Sequence, residues 1–408
     1  MSRIVLGVSA GIAAYKACLL LRLFTEAGHD VQVVPTENSL QFVGEATWAA
    51  LSGKPVYSSV LAQAHLVNHV RLGREADLVV VAPATADLIS RAATGRADDL
   101  LTNVLLTATC PVVLAPAMHT EMWLHPATQA NVALLRSRGV IVLEPAVGRL
   151  TGADSGPGRL PEPADIEASA LAALASPAAA AAMAARDLAG VRVLVSAGGT
   201  HEPLDPVRFI GNSSSGLMGV AIARAAVQRG AEVTLVGAHL AVDPPAAVRV
   251  LSVATTGDLA AAMATAADAA DIVVMAAAPA DFTPVNPSTT KLKKSGDAGL
   301  VVELSQTTDV LAGLSARRRP GQVVVGFAAE TAADESELLA LGAAKLARKG
   351  CQLLVLNDVS GGAVFGAPDN RVLLLSPSGL LGQAVGTKTT VAHAILDAAA
   401  EVNEGKPA

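Results

Sequence analysis

The 408-residue sequence has few aromatic side chains, few cysteines and no long basic run. Phe, Trp and Tyr make up 2% of the chain although 51% of its residues are hydrophobic, so small aliphatic side chains must fill the core. The three cysteines, Cys18, Cys110 and Cys351, are far apart and odd in number, which predicts neither a disulfide framework nor a zinc site. A formal net charge of −6 argues against a nucleic-acid-binding surface.

The sequence also lacks a convincing membrane segment. The alanine-rich run near residues 168–185 is broken by Pro177 and is too weakly hydrophobic to cross a bilayer. Residues 3–8 already have the pattern of a core strand, so no signal peptide is predicted. We therefore expect a soluble cytoplasmic protein that binds neither nucleic acid nor membrane.

The sequence does contain one local pattern twice. Residues 4–8 predict a strand, followed by a short turn and a helix that ends at Gly28. Residues 191–195 predict a second such strand, followed by a glycine-rich loop and a helix from about Ser215. Two beginnings of this kind predict an α/β fold with two tandem doubly wound parallel-sheet, Rossmann-like domains, over residues 1–189 and 190–408.

Polar residues cluster where the strands of the first half end. They lie in residues 35–39, 82–87 and 115–123, and ligands of open α/β sheets bind at such positions. Residues 148–160 contain four glycines without periodicity, which predicts a loop or flap.

Several motifs of the first half have two interpretations. The turn at residues 9–12 fits a phosphate or a flavin edge, or merely a tight strand-to-helix turn, and it lacks the NAD fingerprint. His65 and His69 are spaced for metal ligation, and His69 also suits a general base, but both could be ordinary solvated or core histidines. Residues 115–123 predict either a pocket wall with one polar group or a packed Met/Trp corner.

The second half repeats the pattern with more positive charge. Residues 271–281 resemble residues 77–87, since both have a strand running into a small-residue turn that ends in Asp. Residues 371–376 predict an edge strand. Five lysines at positions 291, 293, 294, 345 and 349 form either a solvated face or a polyphosphate site, whose metal ion Asp281 would contact.

The motifs together resemble one family over nearly the whole chain. They are GVSAGIAAYK, NHVRL, ADLVVVAPATADL, APAMHTEMW, DSGPGRL, EPLDPVRFIGNSSSG, PADF, KLKK, VGFAAET and NDVS. The sequence resembles the bacterial bifunctional coenzyme A biosynthesis proteins, which join a phosphopantothenoylcysteine decarboxylase to a phosphopantothenate–cysteine ligase. The resemblance implies a flavoprotein-type domain followed by a ligase-type domain.

For the first domain, the resemblance implies FMN as cofactor and His69 as the base. FMN would lie against the first turn, the second strand end and the APATAD segment: Ser9, Gly11, Ile12, Thr36, Ser39, Ala84, Thr85, Ala86 and Asp87. His119 stands where the family has a substrate-binding Asn. The family's proton-donating flap cysteine has no counterpart here, since its position falls at about Gly152. The sequence does not tell which group replaces it.

For the second domain, the resemblance implies that 4′-phosphopantothenate and CTP form an acyl-cytidylate, from which cysteine displaces CMP. Asn212 would stabilise this intermediate, and Mg²⁺ would accompany CTP, with Asp281 as a possible ligand. The implied CTP contacts are Met275, Ala276, Ala277, Asp281, Lys291, Thr308, Asp309, Val310, Leu311, Phe327, Lys345 and Lys349. The family also implies decarboxylase trimers and ligase dimers in a larger homo-oligomer, such as a dodecamer.

Two other functions are compatible with parts of the sequence. One is a flavin-binding regulatory protein with an inactive decarboxylase half, which the missing flap cysteine favours and His69 opposes. The other is a nicotinamide-dependent oxidoreductase built on two dinucleotide folds. A flavin spectrum that does not respond to NAD(P)H would exclude the second.

Overall fold

A computed structural model describes residues 1–60, 67–149, 155–245, 247–293, 299–358 and 369–404. The chain forms two compact units, Met1–Asp187 and Leu188–Ala408, and each is described by itself. Within the described residues, no helix is both long enough and apolar enough to span a membrane.

A parallel sheet forms the centre of the first unit. Its strands are β1 (Arg3–Val8), β2 (Asp30–Pro35), β3 (Leu78–Ala84), β4 (Val112–Pro116) and β5 (Ile141–Val142). They lie in the order β2-β1-β3-β4-β5, which is the flavodoxin-like doubly wound order. Every residue of β3 is buried, because helices cover both faces of the sheet and each side chain meets one of them.

The helices of the first unit pack on both faces of this sheet and form two apolar clusters. Alanine, valine and leucine dominate both clusters, as the low aromatic content requires. The helices are α1 (Ala14–Glu26), a 3₁₀ helix (Glu37–Gln41), α2 (Glu45–Ser52), α3 (Asn68–Glu75), α4 (Ala86–Thr94), α5 (Leu100–Thr107), α6 (Thr120–Leu124), α7 (Pro126–Ser137), α8 (Pro163–Ala175) and α9 (Pro177–Ala185).

The segment predicted as a loop or flap, residues 148–160, is not a loop throughout. Two antiparallel strands, β6 (Ala146–Arg149) and β7 (Ser155–Arg159), form a hairpin there. The glycines allow close packing, because a Cβ on Gly158 would lie 2.2 Å from the carbonyl oxygen of Met118. The hairpin tip, residues 150–154, lies outside the described residues, and so does the predicted position of the missing cysteine at Gly152.

The second unit contains a larger, mixed sheet and two short hairpins, β10-β9 and β14-β15. In chain order its strands are β8 (Arg192–Gly198), β9 (His201–Pro203), β10 (Phe209–Gly211), β11 (Glu232–Ala238), β12 (Arg249–Val253), β13 (Ile272–Met275), β14 (Phe282–Pro284), β15 (Leu304–Gln306), β16 (Val323–Glu330), β17 (Leu353–Asp358), β18 (Asp369–Ser376) and β19 (Gly379–Thr387). The main sheet has the order β12-β11-β8-β13-β16-β17-β18-β19. Its parallel strands follow the Rossmann order, with a switch point between β8 and β13.

The predicted edge strand at residues 371–376 is β18, but it does not lie at the edge. The antiparallel strand β19 pairs along its outer side. Sequence patterning did not reveal β19 because Gly379, Gly382 and Gly386 give it a loop-like composition. Leu373 and Leu374 are buried in β18, as expected for a strand with neighbours on both sides.

Helices cover both faces of the second sheet as well. They are α10 (Leu217–Gln228), α11 (Thr256–Ala267), α12 (Val310–Ala316), α13 (Glu335–Lys349) and α14 (Lys388–Glu404). Helices α10 and α14 contribute to one apolar cluster, and α11, α12 and α13 contribute to the other. The predicted fold class is therefore confirmed for both halves, with an added antiparallel edge in the second.

Candidate functional sites

The first candidate site lies at the switch point between β1 and β3. Ser9 follows β1 directly and is 2% exposed. Its hydroxyl donates to the carbonyl of Pro83 at 2.8 Å and accepts from the backbone N–H of Thr85 at 3.0 Å. Thr85 in turn caps α4 by accepting from the backbone N–H of Leu88. The first turn and the APATAD segment are thus joined at one place.

The second strand end reaches the same sheet edge. The N–H of Thr36 donates to the carbonyl of Val8 at 2.9 Å, and the Ser39 hydroxyl donates to the Thr36 carbonyl at 2.7 Å. The predicted polar loop at residues 35–39 is partly the 3₁₀ helix, which this hydrogen bond stabilises. The three segments named for FMN therefore converge.

Two of the residues named for FMN, Ile12 and Asp87, are exposed rather than buried. Ile12 is 72% exposed, an unusual position for an isoleucine in a polar turn. The side chain of Asp87 is also exposed, and its carboxylate accepts from Arg91 Nε at 3.0 Å. Charge near this edge is therefore already paired.

His69 and His119 take no part in this network of hydrogen bonds. His69 lies on α3, and the Thr107 hydroxyl of α5 donates to its backbone carbonyl at 2.9 Å. Among the described residues, nothing pairs with its buried Nδ1 atom. His119 is exposed at the start of α6. It lies beside the β6–β7 hairpin, because the N–H of the preceding residue, Met118, donates to the carbonyl of Gly158. His65 lies outside the described residues, so the predicted His65–His69 metal pair is not described.

The second candidate site is a cavity of about 710 Å³ at the switch point between β8 and β13. Asn212 lines it, together with the N-terminal ends of α10 and α12. Lys291 is absent from the lining. The other residues named for CTP all line the cavity: Met275, Ala276, Ala277, Asp281, Thr308, Asp309, Val310, Leu311, Phe327, Lys345 and Lys349.

Hydrogen bonds fix the wall that follows β13. The buried Ser196 hydroxyl donates to Met275 Sδ at 3.1 Å and accepts from the backbone N–H of Ala277 at 3.1 Å. Asn212 Nδ2 donates to the carbonyl of Pro279 at 2.8 Å, which ties the glycine-rich loop to the same wall. Gly198 permits this turn, since its φ is +85° and a Cβ there would lie 1.8 Å from the Ala238 carbonyl oxygen.

Two of the three lysines that line the cavity are paired with carboxylates. Lys345 Nζ lies 2.8 Å from Glu330, and Lys349 Nζ lies 2.5 Å from Asp309. Burial raises the pKa of Asp309, but the hydrogen bonds from Lys349 and from the Ala312 N–H, together with the positive charges of Lys349 and Arg348, outweigh burial and lower the pKa. The ammonium groups of Lys345 and Lys349 therefore already have carboxylate partners, and an anionic ligand would bind these ammonium groups next to those carboxylates.

Sequence reasoning missed part of this cavity. Asn357, Asn370 and Lys388 also line it, and Asn357 Nδ2 donates to Asn370 Oδ1 at 3.0 Å. The Asn357-Asp358 pair at a strand end was a usable signal. No signal pointed to Asn370 or Lys388, because antiparallel pairing of β17 with β18 and the position of α14 bring them to the cavity.

Two doubly wound units, each with a polar site at its switch point, define a protein with two ligand sites of the nucleotide or cofactor type. Two family models match the two units. The flavoprotein family matches residues 1–174, and the DNA/pantothenate metabolism flavoprotein C-terminal domain matches residues 188–402.

Known proteins resemble both halves. The coenzyme A biosynthesis bifunctional protein CoaBC of Mycobacterium tuberculosis (strain ATCC 25618 / H37Rv) is 55% identical over 408 residues, covering 97% of this chain and 96% of that protein. The CoaBC protein of Bacillus subtilis (strain 168) is 40% identical over 380 residues, covering 92% and 91%. A crystal structure of a CoaBC C-terminal domain is 33% identical, covers 54% of this chain and 97% of that chain, and has a TM-score of 0.44. The chain belongs to the family of bifunctional coenzyme A biosynthesis proteins.

Proposed function

We propose that this chain carries out two reactions of coenzyme A biosynthesis. CTP-dependent ligation joins cysteine to 4′-phosphopantothenate, and FMN-dependent decarboxylation of the product gives 4′-phosphopantetheine. Residues 190–408 carry the ligase and residues 1–189 the decarboxylase, so the reactions run opposite to chain order. The main support is the full-length match to bifunctional relatives.

In the ligase, the cavity at the second switch point takes CTP. Cationic lysines and helix N-termini there suit a triphosphate, because both stabilise negative phosphate charge. The carboxylate of 4′-phosphopantothenate attacks the α-phosphorus, pyrophosphate leaves, and the amine of cysteine then displaces CMP from the acyl-cytidylate. Asn212 stabilises that intermediate, and Lys291 contacts CTP from a loop beside the cavity.

A Mg²⁺ ion bound together with the triphosphate would neutralise part of the phosphate charge, and Asp281 would help to hold it. Among the described residues there is no cluster of three or more His, Cys, Asp or Glu side chains that could hold a metal ion. Two carboxylates line the cavity, and because Asp309 is paired with Lys349, Asp281 is the candidate ligand. One carboxylate together with substrate phosphates is a common way in which proteins bind Mg²⁺.

In the decarboxylase, the first switch point fits FMN. The buried Ser9–Thr85 contact leaves the turn at Gly11 uncrowded, since the nearest atom to a Cβ there is Thr85 Cγ2 at 3.9 Å. Ser9, Gly11, Ile12, Thr36, Ser39 and residues 84–87 would hold the flavin. When bound, FMN supplies the two-electron oxidation of the substrate thiol that makes loss of CO₂ feasible.

The remaining steps fall to side chains of this unit. His69 acts as the base, and its buried, unpartnered Nδ1 leaves one ring nitrogen available for a proton or a substrate group. His119 takes the place of the family's Asn and, being exposed, can donate a hydrogen bond to the substrate carboxylate. The proton donor that replaces the flap cysteine is not assigned, because the hairpin tip lies outside the described residues.

The relatives do not favour the alternative of a regulatory protein with an inactive decarboxylase half. The deciding experiment supplies purified protein with 4′-phosphopantothenate, cysteine and CTP, and follows CMP and CO₂. We expect one CMP and one CO₂ per 4′-phosphopantetheine. CMP without CO₂, also when phosphopantothenoylcysteine is supplied directly, would support the regulatory alternative. Absence of both products would refute the proposal.

Other features of the proposal rest on the family resemblance alone. They are the cytoplasmic location, the decarboxylase trimers and the ligase dimers of a larger assembly. Sedimentation of the purified chain tests the oligomer. These features stay predictions.

A further inference from the structure

The buried carboxylate of Asp205 joins two segments of the second unit, and no function has been assigned to it above. Asp205 is 3% exposed and lies in the turn between β9 and β10. It accepts the backbone N–H groups of Val207 and Arg208, both at 2.8 Å, and two hydrogen bonds from the Arg208 guanidinium, one of them from Nε at 3.0 Å. A fifth hydrogen bond comes from the backbone N–H of Leu292 at 3.1 Å.

Leu292 is held from both sides. Its N–H donates to Asp205, and its carbonyl accepts from Arg208 Nη2 at 2.9 Å. A further bond ties the same loop to the same turn, because the N–H of Ser288 donates to the carbonyl of Leu204 at 3.0 Å. The loop that carries Lys291 is therefore fastened to the turn at the residue next to this lysine.

The turn also connects to Asn212. Strand β10 ends at Gly211, and the Asn212 side chain is bonded to the cavity wall at Pro279. Two residues proposed for ligation, Asn212 and Lys291, thus extend from one hairpin and from the loop fastened to it. Asp205 is the buried group that both segments share.

We propose that Asp205 is a positioning residue for ligation, which holds the Lys291 loop against the hairpin that leads to Asn212. The inference rests on the proposed ligase function and on the role of Lys291 in it. Arg208 keeps the carboxylate charged, because its hydrogen bonds hold the pKa of Asp205 well below the usual range. Asp205→Asn therefore removes a charge while keeping the side chain's shape.

A matched control exists in the same unit. Asp271, at the start of β13, accepts the backbone N–H of Arg192 at 2.9 Å and hydrogen bonds from its guanidinium at 3.1 and 3.2 Å. This pair lies at the end of β13 that faces away from the cavity. Asp271→Asn removes an Asp–Arg pair with a similar set of hydrogen bonds, although a more exposed one, without touching the lysine loop.

The kinetic test is a double-mutant cycle on the full chain, with CMP release as the readout. We expect Asp205→Asn to lower kcat/KM for ligation roughly ten- to a hundredfold, since small displacements of a reacting group cost rates of this order. In a Lys291→Ala background the same substitution should cost less than about twofold, because the two residues act through one position. Asp271→Asn should leave ligation within about twofold of wild type.

Trypsin gives a readout that does not depend on activity. Cleavage after Lys291 requires Leu292 to leave the hydrogen bonds made by its N–H and by its carbonyl, so Asp205→Asn should accelerate this cleavage about tenfold. Asp271→Asn should not, and mass spectrometry identifies the site. If Asp205→Asn fails to fold, Arg208→Lys, which cannot bond Asp205 and the Leu292 carbonyl with one fork, is expected to accelerate the same cleavage.

The outcomes separate the two levels of the proposal. Full turnover in Lys291→Ala would overturn the role of Lys291 and this inference with it. Loss of turnover in Lys291→Ala beside full turnover and unchanged cleavage in Asp205→Asn would overturn the inference alone. Equal losses from Asp205→Asn in both backgrounds would show a structural effect only and would also overturn it.

Discussion

The two switch points use the same anchor in different surroundings. In each unit a buried serine on or just after the first strand accepts a backbone N–H from the segment beyond the partner strand: Ser9 from Thr85 and Ser196 from Ala277. The serines differ in what they donate to. Ser9 donates to a carbonyl oxygen, whereas Ser196 donates to the weaker sulfur acceptor of Met275.

The charges around the two anchors differ more. Of the residues named for FMN only Asp87 is charged, and it is paired with Arg91. The second site is a cavity lined by Lys345 and Lys349, whose ammonium groups are paired with carboxylates. One backbone architecture thus places little charge at the first site and paired lysines and carboxylates at the second, and we expect side chains outside the anchor to decide which ligand each site takes.

The sharpest way to break this comparison is to disable one site alone. We expect Asn212→Ala to lower CTP-dependent ligation roughly 100- to 1,000-fold, the usual cost of losing one donor that stabilises a reactive intermediate. Decarboxylation of supplied phosphopantothenoylcysteine should remain within about twofold of wild type. Parallel assays of CMP and CO₂ measure both rates in one preparation. Equal losses in both rates would contradict two independent sites.

A smaller effect is expected from removing the buried serine hydroxyl that anchors the first site. Ser9→Ala leaves the N–H of Thr85 without its acceptor, and an unpaired buried group costs about 1–3 kcal/mol. We expect FMN affinity to fall about tenfold or more, as measured by flavin fluorescence during titration.

Ser196→Ala is the matched variant in the second unit. It also leaves one N–H unpaired, that of Ala277, but it gives up only a weak bond to sulfur. The KM for CTP should therefore rise less than the FMN dissociation constant does in Ser9→Ala. A larger effect of Ser196→Ala would show that the two anchors are not equivalent.

Sequence patterning predicted both sites because the carboxyl ends of parallel strands must meet at one sheet edge. The strand ends alone indicate that the turns at Ser9 and Thr85 meet, whereas Thr308 was assigned only through the family resemblance. The same logic fails where antiparallel strands and distant loops contribute. Asn370 reaches the cavity through β18, and Asp205 meets Leu292 across 87 positions of sequence.

Glycine-rich composition concealed strands at two places in the chain. In β19 and in the hairpin of β6 and β7, glycines stand inside strands, although they are depleted from strands in general. Close packing accounts for Gly158, which lies against Met118, and this contact cannot be read from composition. Contacts such as that of Gly158 with Met118 become visible only in the three-dimensional structure.

The smallest expected effect concerns the carboxylate that is paired with Lys345 at the second site. Glu330 pairs with Lys345 at 2.8 Å, and both side chains are about a quarter exposed, at 26% and 23%. A carboxylate here repels the incoming triphosphate. Glu330→Gln removes this charge but still offers Lys345 an acceptor oxygen, so we expect the KM for CTP to fall about three- to fivefold, corresponding to about 1 kcal/mol of electrostatic energy.

The matched control is Glu335→Gln. Glu335 lies on the same helix as Lys345 and forms an exposed ion pair with Arg371, which this substitution breaks. Its effect on the KM for CTP should be smaller than that of Glu330→Gln. Added salt should reduce the difference between Glu330→Gln and wild type, because mobile ions screen partly exposed charges. A rise in the KM for CTP in Glu330→Gln would mean that the carboxylate orients Lys345 for the triphosphate, and the second site would then depend on fixed ion pairs as the first depends on fixed hydrogen bonds.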